Sequence, residues 1–84
     1  MKTYTAKNKL EIQVTENDRF AKDIEVDTDG IVYVNKKTIA SATMVFKKYA
    51  SFTGAKAAAK RLAKKLETAT SDNDYNIIVD KWYA

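Results

Sequence analysis

The residues best placed to do chemistry are five cations: Lys56, Lys60, Arg61, Lys64 and Lys65. Their spacing gathers them on one side of a helix read over Thr53–Glu67, while Ala55, Ala58, Ala59, Leu62, Ala63 and Leu66 fall on the other. Such a face works by charge. Ammonium and guanidinium groups neutralise the phosphates or carboxylates of a partner without demanding a particular shape. Lys47 and Lys48 extend the basic region along the sequence, and Lys36 and Lys37 precede it. Phe46, Tyr49 and Phe52 are interleaved with these lysines, a mixture that suits a single-stranded nucleic acid whose bases stack on rings. The habits of phenylalanine nonetheless place Phe46 and Phe52 in a core, and Trp82 with them. With a single arginine on the face, base-specific readout is poor and affinity is mainly electrostatic.

Charge is unevenly distributed. Residues 1–35 carry five basic and seven acidic side chains, residues 36–66 nine basic and none acidic, and residues 67–84 one basic and four acidic, which sum to the net +4. The helix face also looks poorly arranged for stability. Lys56–Lys60, Lys60–Lys64 and Arg61–Lys65 are like-charge pairs four residues apart, each costing roughly 0.2–0.5 kcal/mol. Lys56 and Glu67 each sit at the helix end whose dipole disfavours them. This pattern points to a bound anion or an acidic partner surface. The same lysines would be an ordinary solvated face if Glu11, Glu25 or Asp80 lay beside them.

Other chemistry is thinly represented. The chain has no histidine and no cysteine, which removes the commonest general base, the common nucleophile–base pairs and His/Cys metal sites. Asp27-Thr28-Asp29-Gly30 resembles the opening of a calcium loop but lacks the later ligands, so a hairpin turn is expected. Asp72-Asn73-Asp74 reads as a polar loop. Only Gly30 and Gly54 are present, so no glycine-rich phosphate loop exists. An enzyme is not expected, nor is a cofactor.

The elements that must position the basic face follow from periodicity. Lys2–Ala6 and Leu10–Thr15 read as strands joined by a turn at Lys7-Asn8-Lys9, with Tyr4 opposite Ile12. A loop over Arg19–Lys22 tucks Phe20 beneath it. Asp23–Thr28 alternates, with Ile24 and Val26 inward and Asp23, Glu25 and Asp27 outward. Asp29-Gly30 predicts a two-residue type I′ turn, which pairs Val26 with Tyr33 and puts Ile24, Val26, Ile31 and Tyr33 on one face. Ile31–Asn35 is the next strand, followed by a turn at Asn35-Lys36-Lys37. Thr38–Ala50 fits either helix or strand; its Thr and Val content favours a strand, bent near Ser41. The main helix starts at Ser51 or Thr53 as N-cap. Tyr75–Tyr83 reads as a last strand, because Ile77-Ile78-Val79 is a continuous apolar run.

The expected architecture is α+β within one domain spanning residues 1–84. It is a small antiparallel-rich sheet of five or six strands, ordered β-β-β-β-β-α-β, with one amphipathic helix over about 54–67 packed on one face. No apolar run approaches the ~20 residues needed to cross a membrane, and no secretion signal is recognisable, so a cytoplasmic location is expected. The alanine-rich apolar side of the helix suits docking on a sheet better than insertion into lipid.

The leading expectation is a small non-enzymatic binding protein whose basic helix face contacts nucleic acid. The alternative is an inhibitor or adaptor that engages a host protein or an acidic, nucleoprotein surface. In size, cofactor-free make-up and general layout the chain is similar to small phage or mobile-element accessory proteins, including anti-CRISPR and anti-restriction types. The sequence leaves oligomeric state open, since an edge strand could pair two copies.

Overall fold

The computed structural model describes residues 2–7, 10–16, 24–37 and 42–84. The turn at Asn8, the loop carrying Phe20 and the bend near Ser41 lie outside them. Five strands and two helices follow one another: β1 (Lys2–Thr5), β2 (Glu11–Val14), β3 (Ile24–Val26), β4 (Ile31–Lys37), β5 (Ala42–Lys48), α1 (Phe52–Leu66) and α2 (Asp72–Tyr83). The strands form one sheet in sequence order, antiparallel throughout except where β2 runs parallel to β3. The α+β class matches expectation.

Both helices lie on the same side of the sheet. On that side Ile12, Val14, Ile24, Val26, Val32 and Val34 are buried against Ala55, Ala59, Leu62, Ala63 and Leu66 of α1 and Tyr75 and Val79 of α2. The six α1 residues assigned to the core by spacing are the six that the fold buries. Their small size lets the helix settle across β1 to β4, with Leu62 and Leu66 fully enclosed. Each leucine contributes about 1.5–3 kcal/mol through burial. Tyr4 pairs with Ile12 as the turn length required. Ser51 is the N-cap of α1, its hydroxyl accepting from the Gly54 N–H at 3.1 Å.

Four expectations are corrected. The final strand is a helix. Ser71 caps it by accepting from the Asp74 N–H, and the Asp74 carboxylate accepts from the Thr70 hydroxyl at 2.8 Å and, at 3.3 Å, from the Thr70 N–H. Asp72 and Asp74 complement the positive end of its dipole, and Lys81 the negative end. Ile77, Ile78 and Val79 therefore point three ways: exposed, half-buried and buried. Trp82 is half-buried against the core, close to its expected place, and the Tyr75 hydroxyl donates to the Asn35 carbonyl on β4.

The β3–β4 hairpin is one residue out of the expected register. Val26 pairs with Val32 and Ile24 with Val34, so Ile31 and Tyr33 turn to the side away from the helices. The loop holds three residues, not two, with a single positive φ, at Gly30 (78°). Asp27 closes it: its carboxylate accepts from the N–H groups of Asp29 and Ile31 and from the Tyr33 hydroxyl. A one-residue slip exchanges the two faces of a strand. The slip turns over β4 and leaves β3 as expected, with Ile24 and Val26 toward the helices. Glu25 and Asp27 keep the opposite side but are buried there instead of lying in solvent, Glu25 in register between Gln13 and Tyr33.

The third correction concerns Phe46. Thr38–Ala50 does supply a strand, but Phe46 pairs with Tyr33 on the open side of the sheet and is 56 % exposed. Phe52 is half-buried against the core. Finally, β4 continues through Lys37, past the turn expected at Asn35.

Candidate interface for an anionic partner

The basic face of α1 is displayed because the opposite face is fixed to the sheet. Lys60, Arg61, Lys64 and Lys65 are exposed and Lys56 is half-buried. Lys60 leans toward the edge of the sheet, its ammonium 5.5 Å from the centre of the Tyr4 ring on β1. Arg61, Lys64 and Lys65 line a cleft of about 710 Å³ with Lys7, Glu67 and Thr68. The Thr68 hydroxyl donates to the Lys65 carbonyl at 2.7 Å and finishes the helix end there. Among the described residues four cations and one carboxylate line this space, much of whose wall is apolar.

Lys7 is the residue that sequence reasoning missed. It belongs to the acidic first third of the chain, where regional charge hides it. The antiparallel pairing of β1 with β2 carries it to α1, and the turn is closed by the Ala6 N–H donating to the Leu10 carbonyl at 2.9 Å.

Lys47 and Lys48 do not extend this surface. Adjacent strand residues face opposite ways. Lys47 lies on the helix side and donates to the Trp82 carbonyl at 2.9 Å, at the negative end of α2, with the Trp82 and Tyr49 rings within 6 Å. It holds α2 in place. Lys48 pairs with Ile31 on the open side, across the sheet from α1.

Two charge arguments change with the geometry. Glu11 and Glu25 share the open side with Gln13, whose amide donates to Glu11, so the sheet separates them from the basic face. Asp80 is exposed on α2. The dipole does not oppose the face as a whole, because Lys64 and Lys65 occupy the last turn. Their gain of about 0.3–1 kcal/mol each offsets the like-charge pairs. The reason to read this face as a contact surface is therefore that Arg61, Lys64 and Lys65 line the cleft with Lys7, and not instability of the helix; Lys56 and Lys60 are not among its lining residues.

Among the described residues no cluster of three or more His, Cys, Asp or Glu could hold a metal ion, and no helix is long and apolar enough to cross a membrane. In comparisons with family models, curated proteins and solved structures, nothing matches this chain.

Proposed function

We propose that this is a non-enzymatic binding protein whose α1 face and adjoining cleft take the phosphate backbone of a nucleic acid. The observation that supports this most directly is the meeting of Lys7, from the β1–β2 turn, with Arg61, Lys64 and Lys65 around one cleft. Cations from two separate elements, held by a rigid helix and a hairpin, suit a polyanion that runs between them. Lys60 continues the row toward the β1 edge.

Four phosphate contacts correspond to a slope of log affinity against log salt of about −3.6 on duplex DNA. The test is a fluorescence-anisotropy titration with duplex and single-stranded DNA and RNA at several salt concentrations. The double variant Lys64→Ala/Lys65→Ala is expected to bind more weakly and to lower the magnitude of the slope by about 1.8. No binding at low salt, or a slope unchanged in the variant, refutes the reading.

A second reading, as an inhibitor or adaptor for a host protein, draws on the exposed Phe46 and Met44 of the open sheet side. Pull-down with and without nuclease separates the two: a partner lost with nuclease marks nucleic acid, and one retained marks protein.

A further inference from the structure

The two edges of the sheet are protected very differently. The β1 edge has four residues, and Lys60 reaches over its Tyr4. The β5 edge has seven, and among the described residues only β4 pairs with it. Proteins usually blunt a long edge with proline, a central charge or a bulge. From Ala42 to Phe46 the strand Ala-Thr-Met-Val-Phe has no proline and no charge, and its two charges, Lys47 and Lys48, sit together at one end.

The direction of the free backbone groups follows from one hydrogen bond. The Tyr49 N–H donates to the Gly30 carbonyl at 2.8 Å, so odd-numbered residues of β5 aim their amides at β4. Met44, Phe46 and Lys48 then aim theirs outward. Met44 and Phe46 are also, among the described residues, two of the large apolar side chains left exposed, at 42 % and 56 %.

We propose that this edge is an interface with a second copy of the chain, β5 pairing antiparallel with β5 about a two-fold axis at Val45. That register uses all seven residues. It places Met44 opposite Phe46, Thr43 opposite Lys47 and Ala42 opposite Lys48, so outward amides meet outward carbonyls and no lysine faces a lysine. Parallel pairing in register would stack Lys47 on Lys47 and Lys48 on Lys48. The strand is thus complementary to itself in one orientation, which is the mark of a closed two-fold contact. On the open side of the sheet, Met44 and Phe46 of both copies meet in one apolar strip. It continues through Tyr33, whose ring centre is 6.0 Å from that of Phe46. The α1 helices, which lie over β1 to β4, remain clear of the contact.

Val45 tests the register. On the axis it forms a non-hydrogen-bonded pair with its copy, at a Cα separation of about 4.5 Å, within disulfide range. The chain has no cysteine, so Val45→Cys introduces a single thiol. Under mild oxidation it is expected to cross-link to its copy, while Lys48→Cys, which faces Ala42, cross-links far more slowly. Sedimentation of the parent over a range of concentrations is expected to show a monomer–dimer equilibrium that persists at high salt, unlike nucleic-acid binding. Met44→Pro removes an outward amide and leaves the β4 bonds intact. Phe46→Lys places a charge in the apolar strip. Each is expected to weaken dimerisation at least about tenfold, with an unchanged circular dichroism spectrum. A parent that stays monomeric at all concentrations overturns the proposal, including one that captures a foreign strand instead. A dimer indifferent to both variants, or equal cross-linking of the two cysteine variants, overturns it as well.

Discussion

Replacing Gly30 by alanine tests how the β3–β4 turn is joined to the start of α1. Gly30 has φ 78°, a conformation that costs an L-residue with a side chain about 1–2 kcal/mol. A Cβ there meets backbone only: the Tyr49 carbonyl oxygen at 2.9 Å, and the Ser51 carbonyl carbon and oxygen at 3.1 Å. Neither can rotate aside, so the link between β5 and α1 must move. That movement strains the 2.8 Å bond from the Tyr49 N–H to the Gly30 carbonyl, worth about 0.5–1.5 kcal/mol. It also displaces Ser51, whose capping bond is worth about 1 kcal/mol. Together the loss is at most about 2.5–4.5 kcal/mol, a large part of the stability of a small domain. Gly54→Ala is the control. Gly54 is helical, its Cβ would lie 3.3 Å from the Ser51 hydroxyl, and the expected change is below about 1 kcal/mol. Urea unfolding followed by circular dichroism and Trp82 fluorescence measures both. A Gly30→Ala midpoint within error of the parent, at equal m-value, refutes the close-packed turn.

Further perturbations probe other parts of the fold. Asp27→Ala removes the acceptor for two backbone N–H groups and the Tyr33 hydroxyl in a buried turn, and should cost about 3 kcal/mol, with Asp27→Asn losing about half as much by urea titration. Leu62→Asp buries a carboxylate where exposure is zero, and the cooperative thermal transition should disappear. Asp74 is held below its usual carboxylate pKa of 3.8, first by the Thr70 hydroxyl and then by the Thr70 N–H, with a smaller contribution from Ser71 and burial acting the other way. A depressed folded-state pKa adds stability that is complete above 3.8 and is lost as pH falls below it. Thr70→Val should therefore flatten the acid limb of the denaturation midpoint plotted against pH. An unchanged limb would show that the bond contributes nothing.

Much of the fold was legible because local and tertiary signals agreed. The core face of α1 and the Tyr4–Ile12 register follow from spacing and turn length, and the strand character of residues 42–48 from Thr and Val content. Two failures have physical causes. At 71–83 the expected strand rests on the apolar run Ile77-Ile78-Val79 alone; the Ser71–Asp74 cap and the helical spacing of Tyr75, Ile78, Val79 and Trp82, which that expectation leaves out, govern the structure. At the hairpin, Asp-Gly fixed the place of the turn but not its length. The third loop residue became visible only with the bonds of the Asp27 carboxylate, which no periodicity encodes. For the candidate site, the five helix cations were legible, whereas Lys7 joins them through strand pairing. Lys47 and Lys48 are divided by the strand alternation that also exposes Phe46.

The parallel seam between β2 and β3 sets an order of opening. β1 and β2 form one hairpin, β3 to β5 a separate meander, and each is built from neighbours in sequence. Among the described residues they meet in the sheet along Ile12–Val14 and Ile24–Val26, extended by the Thr15 N–H to the Val26 carbonyl, with α1 bridging the join from above. The N-terminal hairpin is thus the unit able to lift away while the rest persists, and amide exchange in β1 and β2 should outpace exchange in β4. Lys7 rides on that hairpin and forms one wall of the cleft. A polyanion gripping Lys7 and α1 at once would hold the hairpin down, so binding would register as slowed exchange in a sheet that it touches only at one turn.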